Sequence, residues 1–294
     1  MQDLLVHQVV RVLKVRRVPA PLLFVAGASS MYLGAAVAFW LFAEINPASV
    51  AWLRSLGAAL VLLAWRRPGR RAWRGRTFWL AALFGLVTAL MNIAFYEALA
   101  RLPLGTAVAL EFVGPVLVAA FGSRTKRDIA ALLLVICGVL LIVDVQWSGS
   151  TLGVLFALAA ALLWAAYILL GKRVADIGLG VDGLAVGFAV ATVVLVPLAF
   201  GTGPVWGSPE LLLMSVGVGL LATVLPYALD QVVLRRLGHA SFALLLALLP
   251  VTATAIGLLV LRQVPTIPEA LGIAAVVGGL TLRSREPAAT TEPL

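Results

Sequence analysis

Residues 152–170 read LGVLFALAAALLWAAYILL, nineteen positions without a charge, and Gly171-Lys172-Arg173 closes them. As an α-helix this stretch is about 28 Å long at about 1.5 Å per residue, close to the ~30 Å hydrocarbon core of a bilayer. It reads as a membrane span, and the rest of the chain repeats the form. Apolar runs bounded by charges or Pro/Gly breaks fall at 19–43, 48–65, 77–99, 105–121 and 129–145 in the first half. They fall at 152–170, 181–200, 210–230, 240–261 and 267–282 in the second. The composition agrees: 62% of the 294 residues are hydrophobic, 12% are charged, and the mean hydropathy is +1.07. A soluble domain sits near half apolar and about a quarter charged. The expected fold class is an all-α membrane protein of about ten transmembrane helices.

The net charge of +9 does not point to a nucleic acid, because the basic residues lie in short runs between apolar segments. Arg11, Lys14, Arg16 and Arg17 precede the first span. Arg66, Arg67, Arg70, Arg71, Arg74 and Arg76 follow the second, and Arg124, Lys126 and Arg127 the fourth. Lys172 and Arg173, Arg235 and Arg236, and Arg283 and Arg285 follow the sixth, eighth and tenth. The opposite side has only Arg101 and Arg262. The positive-inside rule then places both termini in the cytoplasm of a multi-pass plasma (inner) membrane protein. A cleaved signal peptide fits poorly, since the first apolar stretch is too long and further spans follow at once.

Self-similarity divides the chain in two. Phe24-Val25-Ala26 and Phe156-Ala157-Leu158 open spans one and six, and Pro115 and Pro250 sit inside spans four and nine. Arg101 and Arg236 precede those prolines at equal distance. The expected organisation is a cytoplasmic arm (1–18), a five-helix repeat (19–145), a second five-helix repeat (152–283) and a cytoplasmic tail (284–294). Five is odd, so the second repeat enters the membrane inverted, an arrangement that recurs among secondary transporters with the site near mid-membrane.

Ionisable side chains inside a bilayer cost several kcal/mol by insertion scales, about 3 each, and therefore need a reason. Glu111 stands about six residues into span four, and Pro115 follows by four. Proline has no amide to donate and crowds the carbonyl four residues back, here that of Glu111. A carboxylate beside a kink suits an ammonium group or a proton. Arg54 enters span two from the same side to similar depth and suits a carboxylate; snorkelling or a structural partnership is its alternative. Asp230 lies near the end of span eight, and Glu97 near that of span three. Asn92 and Tyr96 share a helix face. Tyr32, Trp164, Tyr167 and Tyr227 are candidate cavity-lining aromatics, with ordinary packing as the alternative. Pro115 and Pro250 are candidate hinges. Gly183 and Gly187 form a small-residue face for close packing.

Signatures of enzymes are missing: there is no H-E-x-x-H, G-x-S-x-G or G-x-x-x-x-G-K. No cofactor or metal site is expected, with Cys137 alone and His7 and His239 in an arm and a turn.

The segment YEALARLPLGTAVALEFVGP (Tyr96 to Pro115) resembles the EamA branch of the drug/metabolite transporter superfamily, and within it threonine/homoserine exporters. ALAAALLWAAYILLGKR (Ala157 to Arg173) and LPYALDQVVLRRLGHASF (Leu225 to Phe242) are similar to the matching helices. The resemblance implies ten helices in two inverted repeats around a central cavity lined by both halves. Two departures stand out: Leu249-Pro250 where many relatives carry an acidic residue, and Arg262-Gln263 where many carry Gly-Glu. Both shift weight to Glu111. The expectation is a secondary exporter of small amino-acid-like metabolites, with a small-molecule substrate, protons as a candidate coupling ion, and the bilayer as its partners. The alternatives are another metabolite, a cationic drug, or a channel.

Overall fold

A computed structural model describes residues 18–122, 125–226, 229–230, 232–233, 236–237 and 245–284, and among them ten helical segments follow one another. In the first half these are α1 (Ala20–Leu41), α2 (Pro47–Arg66), α3 (Gly75–Leu99), α4 (104–122) and α5 (126–149). In the second they are α6 (Ser150–Val174), α7 (180–207), α8 (209–226, with 229–230 and 232–233 also helical), α9 (245–261) and α10 (Ile267–Ser284). The chain is a multi-pass, all-helical membrane protein. Four helices, α1, α2, α3 and α6, are each long and apolar enough to cross a bilayer, with mean hydropathy from 1.6 to 2.4.

The other helices are shorter or broken, and the breaks have local causes. In α7 the helix ends at Val194 and resumes from Val196 at an angle of 69°. Pro197 explains the bend, having no amide for the carbonyl of Val193. The single span expected at 181–200 is thus two limbs. Between α5 and α6 the expected break at 146–151 is a kink in one continuous Lys126–Asp176 helix, where only Ser150 leaves helical geometry (φ −156°, ψ 69°).

The two halves carry matching irregularities. Helix α4 breaks at Phe112 and α9 at Ala247, each three residues before its proline, Pro115 or Pro250. Helices α5 and α10 open with equivalent capping boxes. Thr125 donates from N and Oγ1 to Asp128 Oδ2 (3.2 and 2.7 Å), and Thr266 likewise to Glu269 Oε2 (2.8 and 2.9 Å). In each box the acidic residue's amide donates back to the threonine hydroxyl. Matched prolines and matched caps are what a duplicated five-helix unit would leave.

Contacts across the halves follow the same plan. Helix α1 packs on α8 and α9. Its counterpart α6 packs on α3 through Gly171 and Phe84, and on α4 through Gly114 and Ala161. The α5–α10 pair closes through Gly138 and Gly272, where a Cβ on Gly138 would stand 2.6 Å from the Gly272 carbonyl oxygen. The α3–α7 pair closes through Gly85 and Gly187. With no strong hydrophobic drive between helices in lipid, such small-residue contacts let dispersion hold them.

Accessibility is inside-out relative to a soluble protein. Trp79, Val193, Leu213 and Leu259 are at least 70% exposed, whereas Ser49, Thr106 and Glu269 are at most 2% exposed. Apolar side chains face outward to lipid, and polar ones are turned in and hydrogen-bonded. Among the described residues no buried side-chain nitrogen or oxygen lacks a partner. The bundle has two ends: a near side carrying Arg70–Trp73 and Thr125, and a far side carrying 42–46, 100–103, 208 and 262–266.

Candidate functional site

Helix α2 begins at a fixed point. Asn46 caps it, its Oδ1 accepting from Ser49 N at 2.8 Å, and Pro47 supplies the preset φ of a first helical position. Ser49 Oγ then donates to the Leu198 carbonyl (2.7 Å), and Trp52 Nε1 to that of Thr192 (3.0 Å), tying α2 to α7. Arg54 follows, half-buried, seven positions after Pro47. Glu111 stands seven positions after Leu104, the first residue of α4. At about 1.5 Å per residue both lie about 10 Å below the far side.

The Arg54 guanidinium reaches across to the second half. Nε donates to Thr223 Oγ1 (3.1 Å), Nη2 to the Ala222 carbonyl (3.1 Å), and Nη1 makes a long contact to the Tyr96 hydroxyl (3.5 Å). Its Cζ lies 5.8 Å from the centre of the Tyr96 ring. Tyr96 is fully buried and is itself held by the Phe42 ring at 5.8 Å.

Glu111 lies within the bundle and is partly buried, keeping some accessible surface. Among the described residues its carboxylate accepts no hydrogen bond, while the Arg54 guanidinium and the buried Tyr32 hydroxyl lie within its electrostatic reach. Pro115 withholds the amide that would have bonded to the Glu111 carbonyl, and the helix turns out of register at Phe112. Trp164 of α6 packs edge-on against Phe112, ring centres 4.9 Å apart, and so props the break beside the carboxylate.

The structure therefore gathers Arg54, Tyr96, Tyr32, Glu111 and Trp164, from α1, α2, α3, α4 and α6, around one region. The other sequence candidates have their own contacts. Asn92 is buried and its amide donates to the Thr88 carbonyl one turn back (3.0 Å). Tyr167 stacks on Phe84 (5.0 Å, 20°) in a separate apolar cluster towards the near side. Asp230 faces α1 at Gly27, well down α8, and no hydrogen bond reaches its carboxylate among the described residues. Glu97 is engaged by Arg101, which also covers the Phe156 ring at 5.2 Å. Tyr227 lies outside the described residues.

Three participants were not read from the sequence. Thr223, Ala222 and Ser30 meet because α8 contains a π turn at Leu220–Val224. A π turn has no compositional marker, so nothing in the sequence signals it. The buried Thr106–Glu269 contact (3.0 Å) between α4 and α10 does have one, the T-x-x-E spacing of Thr266 and Glu269. Gln263, where the resemblance leads one to expect glutamate, accepts from the Leu104 amide (2.8 Å) and so caps α4. Among the described residues no cluster of His, Cys, Asp or Glu is arranged to hold a metal ion.

Known proteins resemble this chain in sequence and in fold. The model of the EamA-like transporter family matches residues 151–285. The chain is 33% identical over 268 residues to the threonine/homoserine exporter RhtA of Salmonella typhimurium (strain LT2), covering 88% of this chain and 90% of that one. It is 32% identical over 276 residues to the protein of that name from Escherichia coli (strain K12), covering 91% and 92%. A solved crystal structure overlays with a TM-score of 0.58 at 20% identity, covering 90% of this chain and 94% of the other, a likeness of fold.

Proposed function

Because this chain belongs to the EamA-like transporter family, we propose that it exports small amino acids of the threonine and homoserine kind by alternating access. The observation that carries the reading is the juxtaposition of Glu111, partly buried and without a hydrogen-bond partner among the described residues, with the guanidinium of Arg54 at equal depth. A zwitterionic amino acid offers an ammonium to the first and a carboxylate to the second. Charge complementarity in a water-poor site discriminates strongly, because each unmatched charge is costly there. The RhtA relatives, named as threonine/homoserine exporters, agree with this chemistry.

In this reading Tyr32, Tyr96 and Trp164 wall the site, and the prolines of α4 and α9 let one repeat rock against the other. The Glu111 carboxylate is also the candidate site for a coupling proton, which would make export an exchange. The excess of basic residues on the near side points it to the cytoplasm, so in this reading it faces the donor compartment. The test is counterflow in proteoliposomes: labelled threonine and homoserine accumulate against an internal pool of the same amino acid. If neither moves, and cells lacking the protein tolerate both as well as wild type does, the substrate assignment fails. A channel would show flux without counterflow.

A further inference from the structure

The π turn of α8 is closed by Leu225 N donating to Leu220 O, one residue wider than an α turn. The first half of the chain holds this turn at three points. Ser30 Oγ of α1 donates to the Leu221 carbonyl (2.9 Å). Arg54 donates to the Ala222 carbonyl and the Thr223 hydroxyl (both 3.1 Å). Gly34 brings α1 so close that a Cβ there would stand 2.7 Å from Ala222 N. One irregular turn of the second repeat is thus clasped by two helices of the first.

The clasp and the candidate site share a side chain. A guanidinium has five N–H donors, and Arg54 commits one on each nitrogen to Thr223, Ala222 and Tyr96. A carboxylate is best held by two parallel donors on neighbouring nitrogens. Two N–H groups remain, one each on Nη1 and Nη2, and a carboxylate that draws on them pulls the guanidinium away from the α8 turn. We infer that Arg54 is a latch between the repeats: it closes on the α8 turn when the site is empty and lets go when a substrate carboxylate takes the guanidinium. Release frees the extra residue stored in the turn, worth about 1.5 Å of axial length and about 100° of rotation if the turn rewinds to α. That motion would shift the far-side limb of α8, Pro209–Gly219, against the segment bearing Asp230. Binding would then drive the change of access through one side chain, because the empty state alone keeps the latch.

The part played by substrate rests on the function proposed above; the latch in the empty protein does not. Both are tested by distances between spin labels on the exposed far-side residues Glu44 and Glu210, introduced as Glu44→Cys and Glu210→Cys with Cys137→Ser. Without substrate the parent gives one distance population. Thr223→Val, which keeps the shape and removes the acceptor, should raise a second population roughly tenfold, the scale of one charge-assisted hydrogen bond. Arg54→Lys should do likewise, since one ammonium does not bridge both acceptors as a fork does. Thr223→Ser should restore the parent distribution. Threonine added to the parent should populate the second distance. If Thr223→Val and Arg54→Lys leave the empty distribution unchanged, the latch is wrong. If they shift it while threonine does nothing, the latch stands and the cargo assignment fails.

Discussion

The contact between α4 and α6 beside the candidate site gives the sharpest structural prediction. A Cβ built on Gly114 would lie 2.0 Å from the Ala161 carbonyl oxygen, where ordinary contact begins at 3.4 Å. Gly114→Ala must therefore push the lower piece of α4 away from α6 by about 1.4 Å, the difference between those distances. The obstacle is backbone on both helices, so no side chain can turn aside to absorb it. Overpacking of this kind costs about 1–3 kcal/mol, which in a membrane protein of this size lowers the midpoint of thermal unfolding by a few degrees, roughly 2–6 °C. The displacement occurs within three residues of Glu111, at a helix already broken at Phe112. Transport should fall more than stability does, because the carboxylate is moved relative to Arg54. Gly217→Ala is the control: its added methyl meets nothing within 4 Å and should leave both properties near wild type. The assay is thermal unfolding of purified protein in detergent, followed by counterflow in vesicles with equal amounts of each variant. A Gly114→Ala protein as stable and as active as Gly217→Ala would refute the close α4–α6 approach.

Further outcomes depend on named contacts. Thr106→Val removes a hydrogen bond from the buried Glu269 carboxylate and should cost about 1–3 kcal/mol, read as a lower unfolding midpoint; Thr106→Ser should recover most of it. Gly34→Ala drives a methyl against the backbone of Ala222 and should depress transport at least as strongly as Gly114→Ala, measured by the same counterflow assay. Arg66→Ala breaks the pair with Asp182 (2.8 Å), but both side chains are about a quarter or more exposed, so the unfolding midpoint should change little, by about 0–1 kcal/mol in stability terms.

Much of the architecture was legible in the sequence because a bilayer leaves few options for the backbone. Uncharged stretches such as 152–170 must be helical, and their number sets the fold. Pro115 and Pro250 showed where α4 and α9 break, since a missing amide acts locally. Glu111 and Arg54 were found by the cost of burying charge in lipid, and the structure sets them at matching depth. What was not legible depends on the partner helix. Tyr167 looks like a cavity residue on its own helix, but its ring stacks on Phe84 in a separate apolar cluster. The π turn of α8 is clasped by side chains of α1 and α2, and a linear reading of 220–224 does not mark it. Likewise the kink at Ser150 and the bend at Pro197 decide whether a boundary is a loop or a change of direction, which hydropathy alone does not distinguish.

The central claim is that an unbonded interior carboxylate recognises the ammonium of an amino acid, and Glu111→Gln tests it most directly. The substitution keeps the shape and removes the charge. Replacing a charge-assisted contact should weaken binding by about 1.5–3 kcal/mol, roughly 10- to 100-fold. Labelled threonine counterflow in vesicles, measured across substrate concentrations, should therefore show a KM raised by that factor with protein that is still folded and monodisperse. Counterflow by Glu111→Gln at the wild-type KM and rate would contradict the account.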